Sequence, residues 1–417
     1  MKKKISIFYW SPYLGKVATI RSVINSAISL QNHKKNNKII SIIDWYGESN
    51  YFKKKFKKNK IKIIKLQNLI KFKTNAYGFF KSRFIYIATF FFTYFKLKKL
   101  LALKNPNYLV VHLLTFVPFI LFLFNNIQTK LILRISGKPK LYFLRLILWK
   151  MLDKKINKVF CPTIETKKII DSKKIFHSSK VFFLPDPVIN DQEMAELKKY
   201  KIKNVYSKYT YFLTIGRFTK QKNHDLIIDT VNKYKLKDKF LFIGEGELKE
   251  VIQNKINRLK LNSQIKILSY QKNIFQFIKE SKAVLISSLW EDPGFVMIEA
   301  AHLKKSIISS DCPSGPKEFL DGERGGYLFK SNSSESLFNS IEKFKKTSKN
   351  KLNTQIIYAK SRSKRYKSNY HKNLFSKYLD QWKKIYLSQV WQDLLDFHCV
   401  KNYLKIKAEV NWMNSMK

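Results

Sequence analysis

Short, β-rich apolar segments alternate with longer stretches of helical period along this chain, and the alternation runs twice. The first series is KISIFYW (4–10), KIISIID (38–44), IKIIKL (61–66), YLVVHL (108–113), KLILRI (130–135) and NKVFCP (157–162), which read as buried strands. At FFLPDPVINDQEMAELKKYKIKN (182–204) the pattern breaks: Pro185 and Pro187 stop the preceding strand and a polar run follows. A second series then begins with YTYFLTIG (209–216), DKFLFIG (238–244), QIKIL (264–268), AVLIS (283–287) and KSIISS (305–310). Strands alternating with helices build parallel sheets covered on both faces. The fold class is therefore α/β, with two tandem Rossmann-like, doubly wound domains over 1–190 and 205–370 and a linker at 191–204. A C-terminal helix over 371–388 is expected to return to the first domain, and 389–417 follow no assignable pattern. Ligands of open parallel sheets sit at the carboxyl ends of the strands, so two such domains imply a central cleft.

Charge narrows the partners less than it first suggests. Lys and Arg number 81 against 29 Asp and Glu, a net +52 that attracts phosphates, nucleic acid or an anionic membrane. The excess is almost all Lys, accompanied by Asn, Ile and Phe, a mixture that an AT-rich genome also produces. Scarce Arg and the absence of RNA-binding or zinc-finger spacings speak against specific nucleic-acid recognition. Cys161, Cys312 and Cys399 are too few for a disulfide framework and lack metal-ligand spacing, which fits a reducing cytoplasm. The opening MKKKISIFYWSPYLG begins like a signal peptide, but its apolar run is short and broken by Ser11-Pro12, and it reads as a first strand. FIYIATFFFTYF (84–95) and YLVVHLLTFVPFILFLF (108–124) are short for a bilayer span and read as buried elements. The first, with Phe84, Tyr86 and Phe91 among Lys81, Arg83, Lys96, Lys98 and Lys99, has the composition of an ordinary packed helix or of an aromatic face lying on an anionic membrane.

Two stretches of the second series carry chemistry. In YFLTIGRFTKQKNHDL a strand ends at Gly216, Arg217 and Lys222 bracket a short loop, and a helix starts near Asn223, which could cap it. An anion suits that place, beside a helix N-terminus. In AVLISSLWEDPGFVMIEAAHL a strand leads to Pro293-Gly294, whose tight entry opens a helix with free N–H groups near Phe295 and Val296. Glu291 stays in the loop and Glu299 falls more than a turn into the helix. One carboxylate could face a sugar and the other a ribose diol, with phosphate held between, because ionised carboxylates are pure acceptors and sugars are rich in donors. The plainer readings are a helix-capping Glu291 and a surface-paired Glu299.

Glu291, Gly294 and Glu299 resemble the E-x7-E pattern of the retaining family 4 glycosyltransferases (glycosyl transferases group 1). GRFTKQKN resembles that family's G-R-x4-K loop, FIGEGELKEVI its strand-glycine-helix segment, and SSDCPSGPKEFLDGERGGYLF its S-D-x-P-x-G-x-x-E region. The match is specific over 209–330 and looser over the first 190 residues. The resemblance implies the two-Rossmann GT-B fold, with an acceptor domain first and a nucleotide-sugar domain second. It implies that Arg217 and Lys222 bind the donor diphosphate, Glu299 the ribose and Glu291 the donor sugar. Gly294, Phe295 and Val296 would supply backbone contacts, and Gly15 would match the glycine loop after the first strand. His112, ending YLVVH, would stand near the reacting sugar, or else be a buried and satisfied histidine; Arg134 in RISGKPK would reach acceptor or donor. Asp292-Pro293 departs from the family's commoner Gly-Phe.

The expected activity is transfer of a hexose, with retention, from a nucleotide-sugar to a cell-surface glycan or lipid-linked acceptor, at the inner face of the cell membrane. No D-x-D motif occurs, and no metal or other cofactor is expected. The alternatives are a phosphorolytic or hydrolytic enzyme of the same fold, or a non-catalytic basic protein binding anionic lipid or nucleic acid.

Overall fold

A computed structural model describes residues 4–12, 18–32, 38–45, 47–66, 79–137, 139, 141–199 and 210–380. The first series of strands forms one seven-stranded parallel sheet: β1 (Ile5–Trp10), β2 (Lys38–Asp44), β3 (Lys62–Lys65), β4 (Tyr108–Val111), β5 (Lys130–Arg134), β6 (Ile156–Cys161) and β7 (Val181–Phe183), in the order β3-β2-β1-β4-β5-β6-β7. Its helices are α1 (Ala18–Gln31), α2 (Lys53–Lys58), α3 (Phe79–Lys104), α4 (Phe116–Phe124), α5 (Phe143–Met151) and α6 (Ile164–Ser172). The segment expected to be a linker opens with a helix, α7 (Asp191–Lys199).

The second series forms a six-stranded parallel sheet from β8 (Tyr211–Ile215), β9 (Lys239–Ile243), β10 (Ile265–Leu268), β11 (Ala283–Ile286), β12 (Ser306–Ser310) and β13 (Tyr327–Phe329), ordered β10-β9-β8-β11-β12-β13. Helices α8 (His224–Lys233), α9 (Lys249–Arg258), α10 (Phe275–Glu280), α11 (Phe295–His302), α12 (Pro316–Leu320), α13 (Ser334–Lys346) and α14 (Lys349–Ser363) cover it. Both sheets have the strand order of a Rossmann fold, and every pairing is parallel. Each of the eleven apolar segments read as strands is a strand. The three-residue β13 was not anticipated, because YLF is too short to show a period.

Burial on both faces explains the near-continuous apolar runs. In the second sheet Phe212, Phe240, Leu285 and Ile308 face a core closed by Ile227 and Val231 of α8 and Ile252 of α9. The next residue along or back, Leu213, Leu241, Val284 and Ile307, enters the opposite core with Met297 and Ile298 of α11. Successive strand residues point to opposite faces, so both must be apolar where helices cover both. Burying one such side chain stabilises the fold by about 1.5–3 kcal/mol. In the first sheet, Leu97 and Leu101 of α3, Phe119 of α4, Trp149 of α5 and Ile170 of α6 share one core, which places these four helices on one face.

Both sheets lie within one compact unit, Met1–His371; Lys372–Lys417 make a second, of which 372–380 are described and helical. The tail 389–417 lies outside the described residues.

Candidate functional site

In the second sheet the strand order reverses between β8 and β11, so the loops that follow these two strands diverge and leave a crevice at their carboxyl ends. Those loops are the two stretches singled out above. They are knitted together by backbone and side chain: Leu289 N–H donates to Gln221 O (2.8 Å), Gln221 Nε2 to Trp290 O (2.9 Å) and Ser287 Oγ to Lys222 O (2.8 Å). A close approach holds the neighbouring turn as well, since a Cβ on Gly244 would stand 1.9 Å from Gly216 O.

Lys222 Nζ pairs with Glu291 Oε1, and Ser288 Oγ donates to the same oxygen (2.6 Å). Both charges are largely withdrawn from water, with Lys222 19% and Glu291 8% exposed. A small pocket beside them is lined by Thr214, Lys222, Ser288, Glu291, Gly294 and Met297. Arg217 stands exposed at the loop's other end and has no ion pair or side-chain hydrogen bond among the described residues. Asn223 precedes α8 but does not cap it: its backbone is left-handed (φ 49°), and its amide donates to Asn332 Oδ1 (3.1 Å) instead.

Gly294 is the hinge of the second loop. Its φ of +92° lies in the left-handed region, and it turns the chain directly into α11. Phe295 and Val296, in the helix's first turn, are half-buried, and their N–H groups are among those a helix leaves without an internal partner. Glu299 is 1% exposed on the same helix. Its carboxylate does not pair on the surface; Oε1 receives Arg21 Nη2 from α1 of the first sheet. That partner was not foreseen, and no local signal could have revealed a residue 278 positions away.

First-sheet candidates fare differently. His112 follows β4, at that sheet's own order reversal, but is 6% exposed, stacks on Tyr9 (centroids 5.9 Å apart) and meets Ser136 Oγ at 3.4 Å. Burial, aided by the positive charge of Arg134, holds the imidazole well below its ordinary range, so it is neutral near pH 7. Arg134 is not open to acceptor or donor as expected. It is 2% exposed, donates to Leu184 O and pairs with Asp186 at 2.5 Å. Gly15 lies outside the described residues, as do the side chains of Phe84 and Tyr86.

Across from the E-x7-E loop stands the N-terminus of α6. Glu318 accepts from Ile164 N–H (3.1 Å) and Glu165 N–H (2.9 Å), while Glu165 accepts from Ser314 N–H (2.9 Å). Thr166 Oγ1 donates to Asp292 Oδ2 (2.8 Å). Burial, with Asp186 nearby, pushes the Asp292 carboxyl up to about 7. The departure at Asp292 thus provides a bond between the two halves. Among the described residues no group of three His, Cys, Asp or Glu could hold a metal ion.

Residues 196–362 match the family of glycosyl transferases group 1, which meets the resemblance drawn from the motifs. A glycosyltransferase of Methanocaldococcus jannaschii is 31% identical over 247 residues, 54% of this chain and 61% of that one. The Campylobacter jejuni N-acetylgalactosamine-N,N'-diacetylbacillosaminyl-diphospho-undecaprenol 4-alpha-N-acetylgalactosaminyltransferase is 24% identical over 172 residues, 40% of this chain and 47% of its own. The chain thus spans less than two thirds of the length of these curated relatives. Among solved structures, Anabaena HepE in complex with UDP superposes with a TM-score of 0.66 at 12% identity, over 91% of this chain and 100% of that one. This is a likeness of fold, and the fold is GT-B.

Proposed function

Taking residues 196–362 as a group 1 glycosyltransferase segment, we propose that the protein transfers a hexose from a nucleotide-sugar to a cell-surface glycan or lipid-linked acceptor, with retention of configuration. The observation that carries this reading is the meeting of the Arg217–Lys222 loop with the Glu291–Glu299 segment at one strand-order reversal. The diphosphate would lie against the N-terminus of α11 with Arg217 and Lys222 beside it. Negative charge grows on the diphosphate as its bond to the sugar breaks, and fixed cations with aligned N–H dipoles stabilise it there. Glu291, its Oε1 held by Lys222 and Ser288, would offer Oε2 to the donor sugar. Neutral His112 would present an imidazole hydrogen bond to the reacting sugar, and Gly15 a backbone contact. Among the described residues no protein nucleophile is evident, which favours attack by the acceptor on the face the diphosphate leaves.

The test is a panel of nucleotide-sugars, read first by thermal stability, because a ligand bound only by the folded state raises the melting temperature. Transfer should follow with the stabilising donor and persist in the presence of a chelator, since cations serve where a metal otherwise would. Full loss on chelation, restored by magnesium or manganese, would overturn the metal-free reading. No stabilisation by any donor would overturn the activity itself.

Location at an anionic membrane is part of the same proposal. No described helix is long and apolar enough to cross a membrane. Yet Phe91 and Phe95 on α3, Phe116 on α4 and Phe143 and Leu144 on α5 are all more than half exposed, on the helices that share one face of the first sheet. Residues 79–155 contain fourteen Lys or Arg and a single acid, Asp153. Sedimentation with anionic vesicles should be strong at low salt and fall as salt rises. Equal binding to neutral vesicles, or none to either, would count against it.

A further inference from the structure

The family resemblance implies that Glu299 binds the donor ribose, and its carboxylate meets a group from the other sheet. Arg21, in the first turn of α1, reaches across to place Nη2 on Glu299 Oε1 and donates from the same nitrogen to Val188 O (3.1 Å). Its guanidinium carbon also lies 5.9 Å from the centre of the Phe295 ring, the first residue of α11. Nε of Arg21 is buried with no hydrogen-bond partner among the described residues. One guanidinium therefore touches the carboxylate, the helix entry and the chain that joins the two sheets.

We propose that Arg21 is a positioning residue for the donor: it fixes the Glu299 carboxylate by one oxygen so that the other meets the ribose hydroxyls. The proposal rests on the donor-site reading. The physical reason is that a carboxylate 1% exposed needs a compensating charge, and that a planar guanidinium orients it as well as neutralising it. Oε1 is engaged by Arg21, and Oε2 has no protein hydrogen bond among the described residues. An oriented carboxylate can tell a ribose from a deoxyribose, because a missing hydroxyl leaves its lone pair buried and unpaired.

The experiment measures binding of UDP, GDP and ADP, each beside its 2′-deoxy counterpart, to the full chain by calorimetry. Wild type should bind one of the three ribonucleotides and prefer it over the deoxy form by about tenfold or more. Glu299→Gln should lose most of that preference. Arg21→Met should lose it to a similar extent, with Arg21→Lys intermediate, since an ammonium restores the charge but not the planar geometry. The double variant Arg21→Met/Glu299→Gln should be no worse than Glu299→Gln alone, the sign of two residues acting through one contact. If Arg21→Met is not folded, the lysine variant decides, and unchanged discrimination in it overturns the proposal. A folded Arg21→Met that keeps both affinity and ribose preference does so too. Should the wild type bind none of the nucleotides, the donor reading falls first and this inference with it; binding without any ribose preference, in wild type and in Glu299→Gln alike, removes Glu299 from the ribose and Arg21 from its role.

Discussion

Arg217→Ala and Lys222→Ala should each lower turnover by about 10²–10³, the loss seen when one preorganised charge-stabilising group is removed. Turnover should fall more than donor affinity, because charge on the departing diphosphate is larger in the transition state than in the bound donor. The structure separates the two variants in a useful way. Arg217 is exposed and makes no side-chain bond among the described residues, so its removal should leave the melting temperature nearly unchanged. Lys222 compensates Glu291, and removing it strands a buried carboxylate, so Lys222→Ala should also be destabilised. Lys222→Met/Glu291→Gln should regain that stability without regaining turnover. The Arg217→Ala/Lys222→Ala double variant should be less impaired than the product of the single effects, as both cations serve one diphosphate. Steady-state kinetics at saturating acceptor decide the matter. Near-normal turnover in folded Arg217→Ala and Lys222→Ala proteins would remove the leaving-group site from these two cations.

Arg134→Met should destabilise the protein by about 3–5 kcal/mol, the cost of breaking a buried ion pair from one side. The guanidinium is 2% exposed, and its loss would leave the Asp186 carboxylate and the Leu184 carbonyl without their donor at the point where the chain leaves the first sheet. Ser22 Oγ would remain on Asp186 (2.6 Å), which cannot balance its charge. Arg134→Met/Asp186→Asn should recover much of the loss, since an amide has no charge to compensate. Chemical denaturation at constant m-value measures both effects. A stable Arg134→Met protein with impaired transfer would instead return Arg134 to the substrate site, the role that RISGKPK first suggested.

The places of Arg217, Lys222, Glu291, Gly294 and Glu299 in the fold were legible because each lies within a few residues of a strand end or helix start. Local pattern sets those boundaries, and the strand order then places both loops at one reversal. Arg134 was misplaced by the same logic. It too ends a strand, but whether a side chain there faces a cleft or a buried carboxylate depends on Asp186, 52 residues later.

What the sequence by itself determined is periodic: two series of buried strands, the break near Pro185 and Pro187, and the glycine that turns a loop into α11. Short-range sterics and the need to cover both faces of a sheet suffice for these. What only the tertiary structure decided is pairing: Arg21 with Glu299, Glu318 with the N-terminus of α6, Thr166 with Asp292, Arg134 with Asp186. Each joins groups far apart in the chain, and a charge among 81 Lys and Arg carries no mark of its partner until folding brings the two within a few ångströms and removes the water that would otherwise screen them.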